Sequence, residues 1–402
     1  MQRDDLPTGL ALTPFDPAFQ ADPYPVLRRL QHGAPMIWDD FMHGWLVTSH
    51  DEVREVLRDK ELWSDPRKAE PEAGIRRFAQ SGDAEPSMLF LDDPAHKRLR
   101  SLVNKAFTPK AVEAMRPRIA QIAHELIDAL PAGEFDLMAG FAAPLPVIVI
   151  AEMLGIDARD RDRFKAASDA VVTAFFNVMR NQQEADAAAA AQAELDAVFA
   201  ARIEERRRAP TADLISAMVL AEEGGDALTD GEIVTQCNLL LIAGNVTTTD
   251  LIGNGVRALL EHPDEVAKLR RRPELLENAV EEMLRWDSPV ISSGRIANRA
   301  LEIHGCPVRS GQSVGVSLAA ANHDPAAYEH PERFDIERAD THHQSFGGGR
   351  HFCLGAPLAR VEAQEAVRAL LARFPRLSAT LRPHRYRAIP GFRGLAEYWL
   401  RS

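Results

Sequence analysis

The sequence predicts a mainly α-helical protein that forms one domain over residues 1–402, with a large helical body and small β-sheets. Apolar residues recur at helical spacing in residues 111–130, 182–208, 230–262 and 273–286. Strand-like alternation is confined to residues 44–49 and 300–322, and the second stretch turns at Gly305 and Gly311. Because no internal repeat or linker interrupts the chain, one unit is expected.

Local composition supports the individual elements. Residues 185–201 are rich in alanine, which has the highest helix propensity, so an ordered helix is expected there rather than a low-complexity segment. A further helix is expected to begin directly after Cys353 and to cover residues 354–374. Proline and glycine cluster at 64–94 and 340–357, where loops are expected.

The composition limits the possible functions. Hydrophobic residues make up 46% of the chain and charged residues 26%, which is enough for a large core. The net charge of −12 argues against general nucleic-acid binding, because that requires a basic face. Cys237, Cys306 and Cys353 are far apart, so we expect no disulfide framework and a reducing compartment.

No targeting or membrane signal stands out. The first residues lack the apolar core of a signal peptide. The most apolar stretch, FAAPLPVIVIAEML, is interrupted by two prolines and a glutamate and falls short of the roughly 18 apolar residues that a membrane span needs. We therefore expect a cytoplasmic protein with no membrane partner.

A run of three glycines precedes a lone cysteine in SFGGGRHFCLG, residues 345–355. Glycine lets the backbone curl around the sulfur of Cys353, so that N–H groups can point at a thiolate. A helix that starts after the cysteine also favours a negative sulfur. These residues alone leave three possibilities: a metal-binding thiolate, a buried structural cysteine, or a zinc site with His342, His343 and His351.

The fifteen residues FGGGRHFCLGAPLAR, 346–360, resemble the haem-binding loop of the cytochrome P450 family. The resemblance implies the cytochrome P450 fold, with haem b (iron protoporphyrin IX) between the central long helix and the helix after the cysteine loop. It implies that Cys353 is the metal ligand, the proximal thiolate of the haem iron. The other cofactor-binding residues that it implies in this loop are Phe346, Gly349, His351 and Gly355.

Two charged residues match another family feature. Glu282 and Arg285 are three apart and share one face of a helix, which is a weak signal by itself. The family has such a Glu-x-x-Arg helix followed by an arginine in a segment like HPERFD, which holds Arg333 here. The resemblance implies a buried network of Glu282, Arg285 and Arg333 that is structural rather than catalytic.

Basic residues match the groups that hold the haem carboxylates in the family. His96 and Arg100 are four apart on one helical face, which by itself is also typical of a solvated basic helix. The resemblance implies that His96, Arg100, Arg295 and His351 bind the two propionates, as charged and hydrogen-bonding groups suit carboxylates. Arg299 lies close enough to Arg295 to take that role in its place.

The segment LLLIAGNVTTTDLIG, 239–253, resembles the family's central helix. Ala243, Gly244 and Thr247 fit the pattern, which implies room for dioxygen and a hydroxyl that orders a water. The position that is usually acidic is Val246, which cannot relay a proton. Three possibilities stay open: Asp250 or water replaces the acid, oxygen activation leaks peroxide, or the chemistry differs.

The resemblance places a substrate pocket along segments 66–91, 170–180, 239–247, 289–293 and 389–392. Its predicted apolar lining suits a small apolar molecule, although each of its residues could equally belong to the core; these residues are Phe175, Phe176, Leu240, Ala243, Val246, Val290 and Ile291. Arg67, Lys68, Arg76 and Arg77 could bind a substrate carboxylate or simply face solvent.

The predicted function is therefore a haem-thiolate monooxygenase that uses O2 and external electrons to hydroxylate or epoxidise a small apolar organic molecule. The sequence has no dinucleotide-binding fingerprint, so a ferredoxin or flavodoxin with its reductase is expected as electron donor, docked near Arg100 and Arg350. Because of Val246, the alternative is a haem-binding protein without turnover, or one driven by peroxide.

Overall fold

The computed structural model describes residues 6–78, 87–104, 107–156, 182–223 and 225–402, together with 164, 166–168, 170 and 171. The helices of these residues are α1 Pro17–Ala21, α2 Tyr24–Gly33, α3 His50–Arg58, α4 Ala95–Asn104, α5 Pro109–Asp128, α6 Pro144–Met153, α7 Gln182–Arg208, α8 Leu214–Val219, α9 Asp230–Glu261, α10 Pro263–Arg271, α11 Leu276–Trp286, α12 Leu318–Ala321 and α13 Ala356–Arg373. Within them, no helix combines the length and the hydrophobicity needed to cross a membrane.

The strands are short and form small sheets. They are β1 Met36–Asp39, β2 Gly44–Val47, β3 Glu134–Asp136, β4 Glu222–Glu223, β5 Asp226–Ala227, β6 Ser292–Ile296, β7 Leu301–Ile303, β8 Cys306–Val308, β9 Ser313–Ser317, β10 Ser378–Ala379, β11 Arg385–Tyr386, β12 Leu395–Glu397 and β13 Trp399–Arg401. The largest sheet has the order β1-β2-β9-β6, in which only β2 and β9 are parallel. Its edge strand β6 carries Arg295, paired with Val314 of β9.

The predicted mainly helical class is confirmed, and the four segments with helical periodicity form α5, α7, α9 and α11. Local chemistry explains where they begin. Helix α9 starts with a capping box, in which the Thr229 hydroxyl accepts from the Glu232 N–H at 3.1 Å and Glu232 accepts from the Thr229 N–H at 2.9 Å. Residues 44–49 and 300–322 contain the predicted strands, with Gly305 and Gly311 at positive φ in the turns.

The main core lies between the long helices. Helix α13 packs against α5, α9 and α11, and α9 also packs against α6 and α7. Ile119, Phe141, Leu241 and Val367 are fully enclosed there. Because α13 begins three residues after Cys353, this packing fixes the end of the cysteine loop beside the middle of α9.

A buried ion pair connects α11 to the segment that precedes the cysteine loop. Glu282 and Arg285 are completely buried, and their side chains form two hydrogen bonds of 2.7 and 2.8 Å. The Arg285 guanidinium also donates to the carbonyl oxygens of Asn322, Pro331 and Arg333 at 2.9–3.1 Å. A buried guanidinium needs this many acceptors, because an unpaired charge in the core is very costly.

The expectation that the Arg333 side chain joins this pair is wrong. Its guanidinium is 64% exposed and lies 3.7 Å from Asp335, so only its backbone carbonyl meets Arg285. The third charged group is Arg338, whose Nε lies 3.2 and 3.3 Å from the two Glu282 carboxylate oxygens. Since both arginines follow a glutamate in PERFDIER, the sequence pattern alone did not distinguish them.

Replacing Arg338 by alanine is expected to destabilise the protein by about 2–4 kcal/mol, because it removes charged hydrogen bonds to a fully buried carboxylate. Arg333→Ala is the matched control and should change the free energy of unfolding by no more than about 0.5 kcal/mol. Urea unfolding of the haem-loaded variants measures both values. A larger effect for Arg333→Ala than for Arg338→Ala would contradict this assignment.

Candidate functional site

A cavity of about 1210 Å³ lies between α9, the cysteine loop and the β6–β9 edge of the large sheet. Most of its lining is apolar. The volume exceeds the roughly 300–1,000 Å³ of ordinary small-molecule sites, so there is room for more than one small molecule.

Cys353 lines this cavity. Its backbone N–H donates to the Phe346 carbonyl at 3.0 Å, which closes the loop on itself. The protein around the sulfur raises the pKa of the Cys353 thiol by desolvation, while the N–H groups of Gly355 and Ala356 and the Arg100 guanidinium oppose that rise. These groups are the donors that a thiolate ligand needs.

Glycine shapes the loop in two different ways. Gly349 has a φ of +66°, and a Cβ atom there would lie 2.5 Å from the Leu57 carbonyl oxygen of α3. Gly347 has a similar φ of +68°, but a Cβ atom there would meet nothing within 4 Å. Only Gly349 therefore combines a left-handed backbone with a close approach to another element.

Phe346 supports the loop from the other side. It packs against the main core and lines the cavity, and the Arg360 guanidinium lies 4.6 Å from its ring centroid. Gly355 lies at the start of α13, also lines the cavity, and has open space where a Cβ atom would be.

The four predicted propionate ligands all line one region of the cavity. The rings of His96 and His351 are 4.1 Å apart. Arg295 is buried and donates to the carbonyl oxygens of Gly294 and Leu57 at 2.8 and 3.1 Å. Within the described residues, neither Arg295 nor Arg100 has a carboxylate partner, and the Nε2 atom of His351 is buried without a hydrogen bond.

Burial and mutual repulsion lower the pKa values of these basic side chains. Burial lowers the pKa of Arg295 to about 10, with Arg350 adding repulsion. Burial also lowers the pKa of His351 to about 2, aided by His96 and Arg295. A ligand with two carboxylates would supply the missing counter-charge and a partner for His351, so these residues fit the haem propionates.

The middle of α9 forms the opposite wall. Ala243, Gly244 and Thr247 line the cavity, and a Cβ atom on Gly244 would meet nothing within 4 Å. The Thr247 hydroxyl donates to the Ala243 carbonyl at 2.7 Å. The small side chains leave open space between this helix and Cys353, where the predicted haem would lie.

Two residues of α9 that were predicted to belong to the site lie on another face of the helix. Val246 is buried and does not line the cavity, so its assignment to the substrate pocket is wrong. Asp250 lies on the same face as Val246, four residues later, and pairs with Arg387 in a completely buried position. Burial raises the pKa of Asp250 to about 7, but its side chain does not reach the cavity, which overturns its catalytic assignment.

The remaining predicted pocket residues are placed as follows. Leu240, Val290 and Ile291 line the cavity, as do Pro390, Gly391 and Phe392. Phe175 and Phe176 lie outside the described residues.

The described basic residues of the 66–91 loop pair with groups of the protein itself. Arg67 pairs with Asp65 at 2.6 Å, Lys68 pairs with Asp92 at 2.8 Å, and Arg76 donates to the Arg67 carbonyl at 2.7 Å. None of these three residues lines the cavity, so the structure gives no support to a substrate carboxylate site at them. The side chain of Arg77 lies outside the described residues.

The zinc site and the docking patch do not agree with the geometry. The imidazole of His342 is 91% exposed and His343 bonds Glu281 at 3.2 Å, and no cluster of metal ligands occurs in the described part of the chain, so the zinc site is wrong.

The predicted docking patch lacks Arg350, whose side chain is largely buried and bonded to the Leu62 carbonyl and to Asp93.

Sequence reasoning missed several residues of the lining. Leu10 and Phe15 of the N-terminal segment contribute, and so does Glu362 of α13. Glu362 is buried, one of its carboxylate oxygens has no hydrogen-bond partner, and burial raises its pKa to about 8. Nothing in the local sequence predicts these contacts, because they depend on tertiary packing.

Comparison with known proteins gives a consistent family. A family model described as Cytochrome P450 matches residues 162–380. The chain is 39% identical over 413 residues to Cytochrome P450 107B1 of Saccharopolyspora erythraea, covering 99% of this chain and 98% of that protein. It is 40% identical over 390 residues to Cytochrome P450 monooxygenase PikC of Streptomyces venezuelae, covering 94% and 90%.

Solved structures are also similar. CYP109E1 from Bacillus megaterium in complex with testosterone has a TM-score of 0.85 and 36% identity, and the match covers 94% of this chain and 99% of that one. The bacillaene polyketide synthase cytochrome P450 PksS of Bacillus subtilis has a TM-score of 0.87 and 36% identity, covering 96% and 97%.

Substituting alanine at two neighbouring glycines separates backbone strain from the close approach to α3. Gly347→Ala should cost about 1–2 kcal/mol, because a residue with a Cβ atom is strained in the left-handed conformation. Gly349→Ala should cost more, by at least about 2 kcal/mol, because its Cβ atom also collides with a backbone carbonyl. Unfolding free energies and haem content measure this, and equal losses for the two variants would contradict it.

Proposed function

Because this chain belongs to the cytochrome P450 family, whose members are haem b monooxygenases, we propose that Cys353 ligates the haem iron and that an apolar substrate binds between the haem and α9. The haem supplies the activation of O2, using electrons delivered from outside. The observation that carries the proposal is the placement of Cys353, unpaired cations and the Gly244 gap around one cavity.

We propose that Arg100, Arg295, His96 and His351 hold the two haem propionates. The support is the lack of carboxylate partners for the two arginines among the described residues, and the unpartnered His351 Nε2 atom. Gly349 and Phe346 hold the loop so that the N–H groups of Gly355 and Ala356 face the sulfur.

We propose that Thr247 positions a proton at its hydroxyl. In the structure this hydroxyl donates to the Ala243 carbonyl within its own helix. Turned into the cavity, the same group can donate to a ligand or accept from a water molecule. Since Val246 and Asp250 both lie off the cavity wall, we propose that water relays the proton to this hydroxyl.

We propose hydroxylation or epoxidation of a small apolar organic molecule. The apolar lining of the cavity beside α9 supports this, as does the testosterone held by the similar CYP109E1 structure. The family requires an electron donor, for which we propose a ferredoxin or flavodoxin with its reductase. The alternative of a haem protein without turnover, or one driven by peroxide, gains no support from the family match.

We also propose that residues 1–402 act as one domain. The main core supports this, because it includes residues from Met88 to Leu400. The cytoplasmic location stays a prediction from the sequence.

Replacing Cys353 by serine tests the haem assignment. The reduced, CO-bound protein is expected to show the red-shifted Soret band of thiolate ligation, and Cys353→Ser should lose that band. Cys237→Ser is the matched control, since Cys237 is completely buried away from the cavity and should leave the band in place. An unshifted, histidine-type band in the unmutated protein would overturn the assignment.

Replacing Thr247 by alanine tests the role of the hydroxyl. Product formed per NADH, with surrogate redox partners, should fall by about tenfold or more while hydrogen peroxide rises, because a positioned proton donor is lost. Thr249→Ala is the control: Thr249 donates to the Ala142 carbonyl at 3.2 Å and does not line the cavity, so it should affect stability but not coupling. Unchanged coupling in Thr247→Ala would show that the hydroxyl has no such role.

A further inference from the structure

Apart from the basic residues near the cysteine loop, the described lining of the cavity has a second polar region, a corner at its other end. It is formed by Gln192 and Asp196, four residues apart on the same face of α7, and by Asn238 of α9, against which α7 packs. This corner lies far from the cysteine loop along the central helix. Asn238 precedes Thr247 by nine residues, which is about 13 Å of helix.

Two side-chain oxygen atoms at this corner accept no hydrogen bond from the described residues. One carboxylate oxygen of Asp196 accepts from the Gln192 amide at 2.8 Å and from the Asn238 amide at 2.6 Å. Asp196 is half-buried, and its other carboxylate oxygen has no hydrogen-bond partner within the described residues. The side-chain carbonyl of Asn238 is buried and also has no partner.

No cation compensates this carboxylate in the part of the chain that the structure describes: Asp196 forms no ion pair there. The guanidiniums that line the cavity, Arg100 and Arg295, belong to the cysteine-loop side. Asp39, another acid of the lining, differs because it accepts from three backbone N–H groups at 2.9–3.0 Å. A half-buried carboxylate that lines an apolar cavity and has no ion-pair partner among the described residues attracts a positively charged ligand.

We infer that Asp196 and Asn238 form a subsite for a protonated amine on an otherwise apolar substrate. The amine binds at this corner, and the apolar body extends along α9 towards Thr247. The oxidised carbon then lies roughly 10 Å or more from the amine nitrogen, given the length of helix between the two points. A few placed polar groups in an apolar pocket set orientation in this way. This inference rests on the proposed function.

Ligand binding to the haem-loaded protein tests the subsite. The probes are dodecyltrimethylammonium, 1-dodecanol and dodecanoate, which share one apolar chain and differ in charge. A quaternary ammonium cannot ligate iron, so its spin-state shift reports binding in the substrate cavity. Because it has no N–H group, it tests attraction to the charge of Asp196 rather than hydrogen bonding. The cation is expected to bind about tenfold more tightly than the alcohol, and dodecanoate more weakly than either.

Asp196→Asn keeps the size of the side chain and removes its charge. It should weaken binding of the cation by about tenfold and change binding of the alcohol by less than about twofold. Asp186→Asn is the matched control on the same helix, because Asp186 also accepts from a glutamine four residues earlier, at 2.8 Å, but is exposed and does not line the cavity.

Three results would overturn the subsite. They are equal effects of Asp196→Asn and Asp186→Asn on the cation, binding of dodecanoate as tight as that of the cation, or no spin-state shift with any probe in a protein that shows the thiolate Soret band. Absence of that band itself would instead contradict the proposed function. The oxidised position gives a second readout, because product from the cation should carry oxygen towards the far end of the chain.

Discussion

The buried pair of Glu282 and Arg285 is the interaction on which the site depends. Arg285 donates to the Asn322 carbonyl, and the Asn322 side chain in turn bonds the Gln344 N–H at 2.7 Å and the Ser345 hydroxyl at 2.9 Å. The Ser345 hydroxyl donates to the Leu284 carbonyl of α11 at 2.7 Å. Phe346 follows Ser345 directly, so this closed set of hydrogen bonds connects the ion pair to the start of the cysteine loop. A guanidinium suits this role because it offers more donors than a neutral side chain.

Different physical factors determine which groups line the two sides of the cavity. On the cysteine side, local backbone geometry decides the structure: Gly349 passes the Leu57 carbonyl where no side chain fits, and α13 starts where its N–H groups face the sulfur. On the opposite side, helical register decides it. Positions four apart on α9 share a face, so Thr247 and Leu251 line the cavity together while Val246 and Asp250 turn into the protein.

This difference explains what the sequence could and could not predict. Helices and the cysteine loop follow from periodicity and from glycine positions, which are local properties, and both were predictable. Arg338 was missed in favour of Arg333 because the choice depends on how an irregular segment folds back over Glu282. Asp250 was misassigned because spacing was counted from Val246, whose own face had not been established. Asp196 and Asn238 meet only through the packing of α7 on α9, which leaves no local pattern.

Charge balance in the cavity connects these features. Arg100 and Arg295, two guanidiniums without carboxylate partners among the described residues, equal in number the two carboxylates of haem b, and the N–H groups of Gly355 and Ala356 would favour the thiolate that we propose at Cys353. Burial raises the pKa of Glu362 to about 8, which favours its protonated form at neutral pH. With these groups neutralised, Asp196 is the carboxylate of the described lining that has neither a cation nor a full set of donors. Among the described residues, the cavity lining along α9 therefore has cations that haem carboxylates would balance at one end and an acid without an ion pair at the other, and this arrangement would orient a substrate that carries positive charge at one end.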